Sequence, residues 1–171
     1  MQRILTLCPH CYNTLKNEYP GLGAAFEVEH ASQFVSRLIN QERIRLQYPL
    51  AKTLTVHDPC FLGRANQIYE PLRQICQTVP GLRVKELPRN RESAFCCGGG
   101  GGKMWLHDSA GRHINQLRAE EISQSGVDLV ATACPYCVTM LEDGINSLEL
   151  EKQPKVLDVV EIVSSSLGNK F

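Results

Sequence analysis

The sequence predicts an α/β domain with a mainly parallel sheet and flanking helices. Three observations carry this. Short β-rich apolar runs alternate with helix-period segments along the whole chain. Most runs are followed by a helix, which is the order a crossover connection requires. Cysteines recur where the loops after strands are expected.

The strand candidates are Ile4 to Leu7, Ala25 to Val28, Leu54 to Val56, Leu82 to Leu87 and Val127 to Ala131. In Ser32 to Gln41, Phe34, Val35, Leu38 and Ile39 share one helical face. In "IYEPLRQICQTV", Ile68, Leu72, Ile75 and Cys76 do the same, so Cys76 reads as a small buried hydrophobe rather than a ligand. A helix is expected over Asp108 to Ser125, with Gly126 as its stop. The stretch "PKVLDVVEIVSSSL" supplies a final strand and helix.

Two segments repeat. Residues 6 to 15, "TLCPHCYNTL", resemble residues 132 to 141, "TACPYCVTML", at an offset of 126, and each is followed by a strand and an apolar-faced helix. The expected organisation is the tail of a first unit over 1–48 and a complete unit over 52–171, with the boundary in Arg43 to Lys52 around Pro49. On this reading about seventy-five residues of the first unit lie in another chain or are missing.

Composition narrows the function classes. Lys plus Arg and Asp plus Glu number 18 each, so no basic face calls for nucleic acid. No apolar run spans a bilayer and no secretory signal opens the chain. The expected location is cytoplasmic, with any attachment to the inner face of a membrane supplied by other domains or partners. In a reducing compartment, eight cysteines mean metal or redox chemistry more often than disulfides.

Five of these cysteines form the pattern C-x35-CC-x36-C-x2-C: Cys60, Cys96, Cys97, Cys134 and Cys137. In an open parallel sheet, loops after strands gather at one edge, where ligand sites form. A disulfide between neighbouring residues is strained, because their Cα atoms sit only about 3.8 Å apart. Two adjacent thiolates aimed at one multinuclear centre are easier to accommodate. A single zinc takes four ligands, and five soft thiolates suit iron–sulfur chemistry. Gly98, Gly99 and Gly100 follow directly and allow close backbone approach, with N–H groups pointing at sulfur. In "CPHC" and "CPYC", Pro9 and Pro135 suit a first helical position, so Cys8 and Cys134 lie near helix N-termini that favour thiolate, with Cys11 and Cys137 as the second cysteines of the two motifs.

Rival readings exist. The glycine run is not a P-loop, because Lys103 is followed by Met104. Either CxxC alone would suit a thioredoxin-type dithiol. Structural zinc on the two CxxC pairs is a further alternative, although 122 residues separate them. His57 suits a hydrogen bond to a sulfur, proton movement, or a backbone carbonyl at a strand end. Asp58 reads as a turn or capping residue. Met104 and Trp105 read as packing, Arg91 and Lys103 as solvated charges or as balance for the charge of a cluster, and His10 and Tyr136 as equivalent variable positions that suit tuning of the two CxxC sites.

The segments "CPHCYNTLKNEYP", "HDPCFLGRANQIYEPLR", "RNRESAFCCGGGGGKMW" and "ATACPYCVTMLEDG" together resemble the CCG-domain family, the cysteine-rich domain of heterodisulfide reductase. The long forms look most like the C-terminal part of membrane-bound iron–sulfur oxidoreductases linked to electron-transfer flavoprotein. The resemblance implies two CCG units packed as pseudo-symmetric halves. It also implies a noncubane [4Fe–4S] cluster held by five cysteines, here Cys60, Cys96, Cys97, Cys134 and Cys137. The first unit departs from the pattern, keeping only Cys8 and Cys11.

The function so implied is an iron–sulfur electron-transfer module of an oxidoreductase, relaying electrons between a flavoprotein-type donor and a quinone-side acceptor. The other reading is heterodisulfide-reductase-like thiol–disulfide chemistry at the cluster or at the CxxC dithiols. The expected partners are the rest of a larger oxidoreductase, a flavoprotein donor and a second copy of the chain.

Overall fold

In the computed structural model, which describes residues 3–106 and 111–169, four parallel strands form the central sheet. They are β3 (Thr53–Val56), β4 (Arg83–Val84), β5 (Leu129–Thr132) and β6 (Lys155–Asp158), in spatial order β4-β3-β5-β6. Two further strands, β1 (Arg3–Thr6) and β2 (Glu27–His30), pair in parallel as a separate sheet. The helices are α1 (Pro9–Asn13), α2 (Ala31–Asn40), α3 (Glu70–Thr78), α4 (Ile114–Gln124), α5 (Pro135–Asn146) and α6 (Val159–Ser166).

All four residues of β5 are buried, as expected for a central parallel strand covered on both faces. Side chains alternate across the sheet. Leu54, Val56, Leu129 and Ala131 face a core completed by Leu72, Ile75 and Cys76 of α3 and Ile162 of α6. Val130 and Val156 face a second core with Ala119 and Ile122 of α4 and Leu141 and Ile145 of α5. Each fully buried aliphatic side chain here contributes about 1.5–3 kcal/mol. Cys97, Cys134 and Cys137 belong to the second core, and Cys76 to the first.

The chain runs from β3 to β4 on one side and then places β5 on the other side of β3. The order therefore reverses between β3 and β5, and ligand sites in open α/β sheets form at the carboxyl ends of such strands. His57 extends the pairing there, donating its N–H to the Ala131 carbonyl at 2.8 Å.

The repeated segments adopt matching structures. Thr6 pairs with His30 across β1 and β2, as Thr132 pairs with Asp158 across β5 and β6. His30 caps α2 with Gln33 reaching back to its backbone, and Asp158 caps α6 with Glu161 doing the same.

Several expectations need correction. Regular strand over Leu82 to Leu87 is confined to Arg83–Val84, because Leu87 leaves the ladder to fill the second core. The helix expected from Asp108 begins at Ile114. Residues 111–113 precede it without helical structure, and 108–110 lie outside the described residues. Strand β2 sits two residues later than expected.

Candidate metal centre

Cys60 follows β3, Cys96 and Cys97 lie in the connection from β4 to α4, and Cys134 and Cys137 flank the first turn of α5. The fold brings their side chains into one file. Cys60 contacts Cys96, Cys96 contacts Cys97, Cys97 contacts Cys137, and Cys137 contacts Cys134. The Cys97 and Cys137 sulfurs are 3.4 Å apart. The vicinal pair thus joins the loop after β3 to the start of α5.

The file is electrostatically graded. The contact with Cys60, followed by the contact with Cys97, pulls the Cys96 thiol down to about 2. Cys60 is pushed up, first by its contact with Cys96 and then by burial. Cys137 lowers Cys97, but the contact with Cys96 and burial outweigh it and leave Cys97 at about 11. Cys134 is lowered by Cys137 and by the backbone N–H groups of Cys137 and Tyr136 at the N-terminus of α5. Cys137 is raised by the contacts with Cys134 and Cys97 and by burial. Cys96 is therefore the ready thiolate, and Cys134 is shifted in the same direction.

The glycine run supports this arrangement at two positions. Gly98, at φ +87°, donates its N–H to the Cys96 sulfur at 3.3 Å, and a Cβ there would come within 3.1 Å of the Ile114 Cβ. Gly99 offers its N–H to the Cys97 sulfur. Gly100 faces open space and begins a 3-10 turn, Gly100–Trp105. Beyond Gly99 opens a cleft of about 250 Å³ lined by Gly101, Gly102, Met104, Trp105, His10 and Tyr136. Trp105 is 77% exposed at this cleft, so it is not the packing residue the sequence suggested.

Cys8 and Cys11 form a separate pair. Cys8 contacts Cys11 and lies 3.9 Å from the Nδ1 of His10. His10 nevertheless lines the cleft, its ring tilted against Phe61 at 4.2 Å and edge-on to Tyr136 at 5.7 Å.

Charged residues around the file were harder to read from the sequence. Asp58 is not a turn cap. It is buried, and both its oxygens accept from Arg73, at 2.6 and 2.9 Å, while Oδ2 also accepts the Arg91 N–H at 2.7 Å. The Arg91 side chain pairs with Glu70. Arg118, on α4, is fully buried next to His57. Burial lowers the Arg118 pKa, opposed by its bond to Glu121. Burial, followed by the Arg118 charge, holds His57 down at about 3, so its ring is neutral.

Five converging sulfurs fit a multinuclear thiophilic centre better than one tetrahedral ion. The buried Arg118 Nη2, which has no hydrogen-bond partner among the described residues, also suits an anionic group nearby.

The fold and the sulfur file define a class. The CCG family, described as a cysteine-rich domain, matches residues 54–142, about half of the chain, and the chain belongs to that family. Among relatives, it is 42% identical over 167 residues to the probable iron-sulfur-binding oxidoreductase FadF of Bacillus subtilis, covering 98% of this chain and 24% of that protein. It is 36% identical over 170 residues to EtfAB:quinone oxidoreductase of Syntrophomonas wolfei, covering 95% and 24%. It is 33% identical over 171 residues to one component of the dihydromethanophenazine:CoB--CoM heterodisulfide reductase of Methanosarcina barkeri, covering 98% and 41%. The chain thus spans about a quarter to two fifths of these relatives' lengths. Among the described residues, no helix is long and apolar enough to cross a membrane.

Proposed function

We propose that Cys60, Cys96, Cys97, Cys134 and Cys137 hold an iron–sulfur cluster of the noncubane [4Fe–4S] type. The chain then acts as an electron-transfer module between a flavoprotein-type donor and a quinone-side acceptor in a larger oxidoreductase. The observation that carries this is the continuous sulfur file at the reversal between β3 and β5. The relatives named for iron–sulfur binding and for EtfAB:quinone oxidoreduction support it. When bound, such a cluster supplies one-electron exchange.

The protein's own part is to bind and tune. Cys96 presents a thiolate, Cys134 is eased toward one, and the Gly98 and Gly99 N–H groups stabilise negative charge on sulfur. The second core keeps Cys97, Cys134 and Cys137 out of water. Residues 52–171 form one complete unit, and 1–48 are the tail of a first, truncated one. Cys8 and Cys11 belong to that tail and would hold a centre only with further ligands. Leu5 and Leu7, about half exposed on and just after β1, offer an apolar face for the rest of the oxidoreductase or for a second copy. Other parts of the assembly bring the module to the cytoplasmic face of a membrane.

Anaerobic reconstitution with iron and sulfide, followed by metal analysis and EPR, tests this. The expected result is about four iron atoms per chain and a paramagnetic centre in one oxidation state. Zinc bound in place of iron would overturn the proposal.

A further inference from the structure

The fully buried Arg118 makes a defined set of contacts. Its Nε donates to the Nδ1 of His57 at 3.4 Å. Its Nη1 donates to Glu121 Oε2 at 2.7 Å and to the Arg89 carbonyl at 3.1 Å. The same Glu121 oxygen also accepts from the Arg89 guanidinium, at 2.9 Å. A ring nitrogen of His57 and the sulfurs of Cys97 and Cys137 all lie within 4.8 Å of one another.

These contacts decide what the imidazole can offer. A guanidinium only donates, so Nδ1 of His57 must accept. A proton on Nδ1 would set N–H against N–H, and a doubly protonated ring would set two like charges together in a buried place. The ring is therefore protonated on Nε2 alone. That pattern also separates His57 from the cysteines. A histidine that ligates a metal keeps its other N–H for an acceptor, usually a carbonyl or carboxylate. Here the other nitrogen faces a cation.

We propose that His57 is an Nε2–H hydrogen-bond donor to the Cys97 and Cys137 side of the sulfur centre, and not a ligand. Arg118 is the positioning residue that fixes the tautomer, and Glu121 holds Arg118 in place. The proposal rests on the cluster reading above. A donor aimed at sulfur favours the more negative, reduced state, so this arrangement raises the reduction potential.

The first test needs no cluster and no variant. Long-range ¹H–¹⁵N correlation spectra of the metal-free chain, labelled with ¹⁵N-histidine, should give the Nε2–H tautomer for His57. Arg118→Met should relax that preference toward a mixture. An Nδ1–H tautomer in the unaltered chain overturns the proposal.

In reconstituted protein, His57→Leu should keep its iron and shift the midpoint potential, followed by EPR, to more negative values. His57→Gln, which retains an N–H donor, should restore part of the shift. An unchanged potential in iron-replete His57→Leu overturns the role. Should His57→Leu fail to fold, the tautomer of the unaltered chain decides. Failure of the unaltered chain to load iron strikes the proposed function instead, and is seen separately in the metal analysis.

Discussion

The sulfurs of Cys97 and Cys137 lie 3.4 Å apart although the two residues are 40 positions apart in the sequence. Cys97 also contacts its neighbour Cys96, which contacts Cys60. One dipeptide therefore connects the loop after β3 to the start of α5. Replacing Cys97 with Ser should break the file at its middle. We expect loss of most reconstituted iron with little change in far-UV circular dichroism, since the sheet and helices do not depend on this contact. Metal analysis beside the spectrum checks it.

Cys76 gives the opposite outcome. It is fully buried in the core between α3 and the sheet, and burial pushes its thiol up to about 12. Cys76→Ser should retain iron but lose about 1–3 kcal/mol of stability by burying a hydroxyl. Urea unfolding and iron content, measured on the same sample, separate the two roles.

Asp58 and Glu86 share Arg73 but differ in exposure, with side chains 5% and 37% exposed. Asp58→Ala leaves the buried Arg73 guanidinium with only Glu86 and the Tyr69 carbonyl and removes the acceptor for the Arg91 N–H, at a cost of about 1–3 kcal/mol. Glu86→Gln should cost less than about 1 kcal/mol. Comparable losses in denaturant titrations of the two variants would refute this ranking.

The glycines divide by environment. An added Cβ at Gly144 would sit 2.6 Å from the Asn115 carbonyl oxygen, where α5 and α4 touch. Gly144→Ala should cost about 1–3 kcal/mol by forcing the helices apart. Gly98→Ala should lose a similar amount through its left-handed backbone. Gly100→Ala, in open space, should stay within about 0.5 kcal/mol of the unaltered chain. Melting temperatures of the three variants provide the comparison.

His30 should make stability pH-dependent. Its Nδ1 accepts the Ser32 N–H at 3.2 Å, and its Nε2 donates to the Leu7 carbonyl at 3.0 Å. Burial holds it down at about 4, against about 6.5 in the unfolded chain. Between these values the unfolded state binds the extra proton and the folded state does not. Stability should therefore fall as pH drops from about 7 to about 4, by up to about 3 kcal/mol from this residue. His30→Asn, which keeps a capping side chain, should flatten that slope in urea titrations at several pH values.

Much of the framework was legible because parallel α/β folds leave a strong trace. β-branched runs gave β3 and β5, the apolar face of residues 68–79 gave α3, and the repeated CxxC motifs gave matching helix starts. The order of sulfur contacts was not legible, because it depends on how the irregular connection carrying Cys96 and Cys97 turns successive side chains toward different loops. Arg118 sits in "QLRAEE" and reads as solvent-facing until α4 packs it against His57. The Asp58–Arg73 pair spans 15 residues and joins a loop to a helix, so no local spacing rule reports it.

The placement of the cysteines on the two sides of the central sheet has a consequence for biosynthesis. One side, built on α3 and α6, is sealed by hydrocarbon and contains none of the five converging thiols, whereas the other side carries three of them. A newly made polypeptide can close the first side without any inorganic component. Loss or late arrival of the inorganic centre therefore leaves that half of the molecule with all of its packing contacts.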